Sequence, residues 1–282
     1  MSVHGTNSRR PKLLFSTPSG VQKLRNLLLS AHGSRIVSRT VDALPPADAR
    51  RQWALTTRHA SGIQSFWLGD TPLPVDISDG RLARLAAKRA FDIIGSLLIL
   101  LFLLPLLLFV ALLIKISNPG PALFRQTRLG KDGKEFTIFK FRSMYLSACC
   151  EDGIAQTVSC DPRIMPIGAF IRRTSIDELP QLLNVLLGDM SLVGPRPHVK
   201  GQLAEGRCYE EILPYYNYRL AMRPGLTGWA QANGYRGPTD NMHRARMRIE
   251  HDVAYIQNFS LLLDLKIILK TLRREFIGGT GF

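Results

Sequence analysis

The longest uninterrupted apolar run, residues 93–114 (IIGSLLILLFLLPLLLFVALLI), carries no charge and follows a basic leucine-alanine pattern from Arg81 to Phe91. A run of that length can span the ~30 Å hydrocarbon core of a bilayer as one helix. Two features favour another path. Pro105, at the midpoint, removes a backbone donor and invites a bend, so each half would reach only ~18 Å at ~1.5 Å rise per residue. Cations flank both ends, with Arg81, Arg84, Lys88 and Arg89 before the run and Lys115, Arg125, Arg128, Lys131 and Lys134 after it, and such flanks favour the cytoplasmic side. A re-entrant helix broken at Pro105, entering and leaving through one leaflet, satisfies both observations. A single-pass anchor with a kink is the alternative.

Beyond the run the pattern changes period. Residues 123–128 and 136–141 alternate around a turn at Gly130–Gly133, which predicts a β-hairpin. Across IGAFIRRTSIDELPQLLNVLLG, the positions Ile171, Ile176, Leu179, Leu182, Leu183 and Leu186 fall at helical spacing, with Thr174 or Ser175 as N-cap and Asp177 and Glu178 in the first turn. Residues 239–255 read as a charged helix. From Phe259 to Phe276, Leu262, Leu265, Leu269, Leu272 and Phe276 form one stripe and Lys266, Lys270, Arg273 and Arg274 another. That pattern suits either a basic amphipathic helix in the headgroup plane or a helix packed on the domain core. Residues 1–80 show one short periodic patch, Val21–Ala31, and read as a flexible basic leader without chemistry, in which Trp53, Phe66 and Trp67 are surface aromatics or contacts to a bilayer or partner. The expected fold is α+β and mostly helical, a monotopic membrane-associated unit with leader 1–80, membrane element 81–117 and cytoplasmic domain 118–282.

Charge narrows the partners. Lys and Arg number 37 against 22 acids, a net +15, which calls for an anionic partner: nucleic acid, an anionic membrane surface or a phosphorylated substrate. Cys149, Cys150, Cys160 and Cys208 form no CxxC pair and read as free thiols, and His243 and His251 have no third ligand nearby. Neither a P-loop lysine pattern nor GxGxxG is present, which excludes the nucleotide-hydrolase and dinucleotide-binding classes those motifs mark.

The chemistry concentrates in residues 174–198, TSIDELPQLLNVLLGDMSLVGPRPH. Two carboxylates, Asp177 and Glu178, stand at one end; at the other, Arg196 is clamped between Pro195 and Pro197, which restrict the backbone. Acids in a first helical turn can serve the helix dipole alone. With Arg172 and Arg173 before them and Arg196 after them, they also meet the needs of phosphoryl transfer, carboxylates for a divalent cation and arginines for phosphate oxygens. Lys140 and Arg142, beside Phe139 and Phe141, are either the solvated face of the hairpin or part of a phosphate site. The glycine-rich stretch 223–237, with Thr227, Trp229, Gln231 and Asn233, reads on its own as a connecting loop.

The segments KRAFDIIGSLLILLFLLPLLL, NPGPALFRQTRLGKDGK, KFRSM, DPRIMPIGAFIRRTSIDELPQLLNVLLGDMSLVGPRPH and RPGLTGWAQANGYRG, in this order from Lys88 onward, together resemble the bacterial sugar transferase family, the monotopic polyprenyl-phosphate phosphoglycosyl transferases. The resemblance is nearest to the catalytic domain of the undecaprenyl-phosphate glucose phosphotransferases. Members of that subgroup usually carry several transmembrane helices ahead of this domain, and the present layout is nearer to the short exopolysaccharide-initiating forms. The resemblance implies that Asp177 is a nucleophile that takes sugar phosphate from a UDP-sugar (UDP-glucose or UDP-galactose), releasing UMP. Polyprenyl phosphate then attacks the covalent intermediate. It further implies that Asp177 and Glu178 hold Mg²⁺, that Arg172, Arg196, Lys140 and Arg142 bind phosphate, and that Thr227, Trp229, Gln231 and Asn233 wall the nucleotide-sugar site. A re-entrant helix broken at a Ser-Pro pair belongs to the same pattern, and Leu104 before Pro105 departs from it. The expected setting is the cytoplasmic face of a bacterial inner membrane, with membrane lipids as partners, no nucleic acid, and room for a homo-oligomer. The rival is a non-catalytic membrane-tethered basic protein that binds nucleic acid or anionic lipid, which leaves the dyad idle.

Overall fold

The structure, a computed structural model, describes residues 55–68, 71–73, 79–148, 161–237, 239 and 241–278. Val21–Ala31, Trp53, Cys149, Cys150 and Cys160 lie outside the described residues. The fold is α+β and mostly helical.

The end of the sequence-assigned leader is folded. Strands β1 (Leu55–Ala60), β2 (Ile63–Leu68) and β3 (Thr71–Pro72) form an antiparallel meander. Trp67 is fully buried, edge-on to Tyr215 at 4.8 Å, with the Arg58 guanidinium 4.1 Å from its ring centroid. It is a core residue and not a membrane contact. The inward face of β2 also carries Ser65, whose hydroxyl accepts from Trp67 Nε1 at 2.8 Å. A buried serine interrupts the apolar alternation by which a strand is recognised.

Helix α1 (Asp79–Ser117) is long and apolar enough to cross a membrane, and it runs through the exposed Pro105 as one element. Pro105 has no N–H to offer the Leu101 carbonyl. Its inward positions, Lys88, Asp92, Ser96, Leu100, Leu107, Val110 and Ile114, follow helical spacing along one face. Both ends are fastened to the same folded unit. At the N-terminal end Arg81 donates to the Ile256 carbonyl, Arg89 to those of Val185 and Leu186, and Asp92 accepts from Leu192 N–H. At the other end Val110 and Ile114 pack with Phe141, Met165 and Ile171. Between the ends apolar side chains face outward, Phe102 at 83% exposure.

The hairpin forms where alternation places it, β4 (Leu123–Leu129) against β5 (Glu135–Phe141), with Leu123 opposite Phe141 and Leu129 opposite Glu135. The next helical pattern is not one helix. α2 (Pro166–Arg173) ends where the Thr174 hydroxyl donates back to the Phe170 carbonyl at 2.9 Å. Ser175 then turns left-handed (φ 56°), a 3₁₀ turn covers Ile176–Glu178, and α3 (Gln181–Leu187) follows Pro180. Thr174 and Ser175 are therefore the end of α2, and neither supplies a side-chain N-cap.

β6 (Ser191–Val193) pairs in parallel with β9 (Gly225–Thr227). Between them lie the short pair β7 (Leu203–Ala204) and β8 (Arg207–Cys208) and the one-turn helix α4 (Tyr209–Ile212). A second one-turn helix, α5 (Trp229–Ala232), follows β9. The predicted charged helix is α6 (Met242–Asn258), capped by Asn241 accepting from Arg244 N–H, yet Arg248, His251 and Asp252 point into the core. α7 (Leu261–Gly278) buries Asp264 and Ile267 and exposes Leu262, Leu265, Leu269 and Leu272, Leu262 at 81%. The leucine stripe faces out, the opposite of what packing on the core requires.

Asp264 is buried against Lys88 (Oδ2–Nζ 2.7 Å) and against the Tyr255 hydroxyl, which donates at 2.7 Å. Lys88→Met is expected to destabilise the protein by about 3–5 kcal/mol, because it strands a buried carboxylate. Denaturant unfolding in detergent measures this, and a cost under about 1 kcal/mol would mean that the pair holds nothing.

Candidate active site

The 3₁₀ turn at Ile176–Glu178 projects two adjacent carboxylates into different surroundings. Glu178 is gripped from two directions. Arg196 holds it bidentately, Nη1 to Oε2 at 3.1 Å and Nη2 to Oε1 at 2.6 Å, and Lys140 on β5 reaches Oε1 at 2.9 Å. Asp177 is only 9% exposed, yet among the described residues no ion pair engages its carboxylate.

Arg196 is aimed by its backbone. Gly194 N–H donates to the Thr227 carbonyl and Gly225 N–H to that of Pro195, both at 2.9 Å. A side chain at Gly225 would collide with the Gly194 backbone, which explains a glycine there. The Arg196 carbonyl accepts from Arg219 Nη2 at 2.5 Å, and Arg219 is itself buried in an ion pair with Asp252 of α6 at 2.8 Å.

The two carboxyls titrate apart. Burial raises Asp177, and the neighbouring Glu178 raises it further, to about 6 despite the pull of Lys140, Arg172 and Arg196. Burial also opposes ionisation of Glu178, but Arg196 and Lys140 hold it well below the usual carboxylate range. One acid is held ionised by its cations; the other is raised to about 6 and has no ion-pair partner among the described residues. Asp177, without an ion pair among the described residues, and the adjacent Glu178 are the carboxylates this turn could offer a divalent cation such as Mg²⁺. No group of three His, Cys, Asp or Glu side chains forms an all-protein metal cage among the described residues.

Lys140, Arg196 and the dyad come together in one cluster. Arg172 donates to the Ser143 hydroxyl at 3.3 Å while its charge acts on Asp177. Arg142 is spent elsewhere: it is buried and donates to the carbonyls of Asn118 and Pro119, closing the turn after α1. Trp229 is a core residue bonded to the Ala60 carbonyl, and Thr227 pairs with Thr271 on α7. Gln231 reaches the Leu226 carbonyl, and Asn233 lies between the Trp229 carbonyl and Lys270. These five contacts brace β9 and α5 against their neighbours.

Two cations near the dyad were not singled out from the sequence. Arg236 donates to the Ser175 hydroxyl at 2.8 Å and lowers Glu178. Arg128 donates to the Pro197 carbonyl, and burial, then Arg196, pushes it down to about 10. Hairpin register holds the signal for Arg128, since Phe124 opposes Lys140, Gln126 opposes Ile138 and Arg128 opposes Phe136, all on one face. Arg236 has no periodic signal, because it lies in an irregular loop.

The model of the family described as bacterial sugar transferase matches residues 83–278. An exopolysaccharide production protein of Rhizobium leguminosarum bv. phaseoli is 58% identical over 70% of this chain and 99% of its own length. A UDP-glucose:undecaprenyl-phosphate glucose-1-phosphate transferase of Escherichia coli K12 is 43% identical over 79% of this chain but only 46% of its own. An Aeromonas hydrophila protein named for N-acetylgalactosamine phosphotransfer to undecaprenyl phosphate is 43% identical over 68% of this chain and 44% of its own. The dyad, Lys140 and Arg196 all fall within the matched span, and the chain belongs to the bacterial sugar transferase family.

Proposed function

We propose that this protein transfers sugar 1-phosphate from a UDP-sugar to polyprenyl phosphate through a covalent intermediate on Asp177, as the first membrane step in building an exopolysaccharide or related glycan. The observation that carries the reading is the asymmetry of the dyad, with Glu178 neutralised by Arg196 and Lys140 and Asp177 left unpaired among the charges of the site. An Asp177 oxygen attacks the sugar-bearing phosphorus, the bond to the bridging oxygen breaks, and UMP departs with the electron pair. An oxygen of the lipid phosphate then attacks the same phosphorus and returns the carboxylate. Lys140, Arg172 and Arg196 supply positive charge around the transferring group. Bound Mg²⁺ would offset the negative charge of the diphosphate as the carboxylate approaches, with Asp177 as its protein ligand and Glu178 beside it.

UDP-glucose is the first donor to test, since the Escherichia coli relative is named for it; the Aeromonas name shows that sugar identity varies among relatives of similar identity. Attachment of both ends of α1 to one folded unit supports a re-entrant path through one leaflet, because a ~30 Å hydrocarbon core between those ends would separate them. Lys and Arg on both flanks support the cytoplasmic face of the inner membrane.

Asp177→Asn is expected to abolish UMP release from UDP-glucose, and the unsubstituted protein exposed to UDP-glucose and Mg²⁺ alone is expected to gain the mass of one phosphoglucose. Persistent absence of that adduct in intact-mass spectra, with turnover intact, would point to direct transfer. Because burial raises Asp177 and the attacking form is the carboxylate, the rate of the first step should climb with pH and level off above about 6, while Glu178 stays ionised throughout. A flat profile of UMP burst rate between about pH 5 and 8 would mean that the Asp177 carboxyl is not raised in the working enzyme, and leaves the nucleophile to the Asp177→Asn and intact-mass tests. For topology, Ala86→Cys and Lys131→Cys on a cysteine-free background should both resist an impermeant thiol reagent in intact cells; labelling at only one position restores the single-pass anchor.

A further inference from the structure

The leucine face of α7 is bordered by cations that the dyad does not use. Lys266, Lys270 and Arg274 recur every fourth residue, so they share one edge of the helix. Lys266 and Lys270 stand over the Trp229 ring at 5.7 and 5.3 Å, and Lys270 donates to Asn233 Oδ1 at 2.5 Å. The Arg274 guanidinium lies against Gly234, where a Cβ would come within 2.8 Å of Nη1. All three are exposed, and among the described residues no acid pairs with any of them. Burial, then Lys266 and Arg274, lowers Lys270, so the three repel one another in the free protein. An anion seated among them relieves that repulsion.

The cluster lies between two surfaces of different character. On one side are the exposed leucines Leu262, Leu265 and Leu269, suited to a bilayer. On the other, the chain passes from Asn233 and Gly234 to Arg236, which binds the Ser175 hydroxyl and acts on Glu178. Three cations lined along one helix edge suit a phosphate monoester, which carries up to two negative charges and three acceptor oxygens.

We propose that Lys266, Lys270 and Arg274 form a docking site for the phosphate monoester of the acceptor lipid at the membrane surface, ahead of its transfer to the dyad through the Asn233–Arg236 loop. The lipid chain stays in the bilayer beside the leucine face. The commitment to the acceptor, over bulk anionic phospholipid, rests on this continuity with the dyad and on the proposed function above; adhesion to a bilayer needs cations but no connection to the site.

The test uses the full chain in nanodiscs of neutral phosphatidylcholine carrying polyprenyl phosphate, comparing K266Q/K270Q/R274Q with the unsubstituted protein and with K266R/K270R. Affinity for polyprenyl phosphate by native mass spectrometry, and KM for it by UMP release, should weaken about tenfold or more in the triple variant. K266R/K270R should retain both, and the UMP burst from UDP-glucose without acceptor should be equal in all three. Unchanged affinity and KM overturn the docking site. So does weakening matched by an equal loss of phosphatidylglycerol binding when that lipid replaces polyprenyl phosphate in the same native mass spectrometry, which assigns the cluster to bulk lipid. Absence of the burst from every protein would sink the covalent reading, while the affinity measurement still decides the docking site.

Discussion

Everything in the site depends on how the Glu178 carboxylate is held. A buried carboxylate is costly unless it is paired and hydrogen-bonded, and here three charge-assisted contacts from Arg196 and Lys140 meet that requirement. They oblige three separate parts of the chain to meet: the hairpin strand β5, the 3₁₀ turn after α2 and the loop after β6. Arg196 is in turn fixed through its carbonyl by Arg219, and Arg219 by Asp252 of the buried helix α6. With both cations committed to Glu178, Asp177 is the carboxylate left available for chemistry.

The same logic joins the membrane element to the site. Lys88 of α1 pairs with Asp264 of α7, and the Tyr255 hydroxyl bridges Asp264 and the Val193 carbonyl. Val193 is three residues from Arg196. A continuous set of buried polar contacts thus connects the apolar helix, the leucine-faced helix and strand β6, which leads into the loop that carries Arg196. Buried polar groups that satisfy one another rigidify a core, so these contacts fix α1, α7 and β6 relative to one another.

The net charge of +15 points to anionic partners, but much of it is structural. Arg81, Arg89, Arg142 and Arg248 donate to backbone carbonyls, closing helix ends and turns. A guanidinium has five donors in a planar fork and serves a carbonyl as readily as a phosphate, so the residue type alone does not reveal which it meets.

The hydrophobic pattern by itself determined the apolar helix, the hairpin and the amphipathic α7, since each announces its period over many residues. Asp177, Glu178 and Arg196 were legible because charged residues beside prolines stand out in an apolar stretch. What tertiary structure decided was the partner of each charge and the direction of each face. Lys140 and Arg142 are two residues apart in one basic string, yet one meets Glu178 and the other closes a turn, because the strand ends between them. The leucines of α7 face outward because Asp264 and Ile267 already fill the inward side. Ser65 hid a strand, and Ser175 broke a helix that spacing alone would continue. Periodicity is a local property that a sequence carries in full; pairing among buried charges depends on residues far apart in the chain, and only the folded molecule brings them within reach.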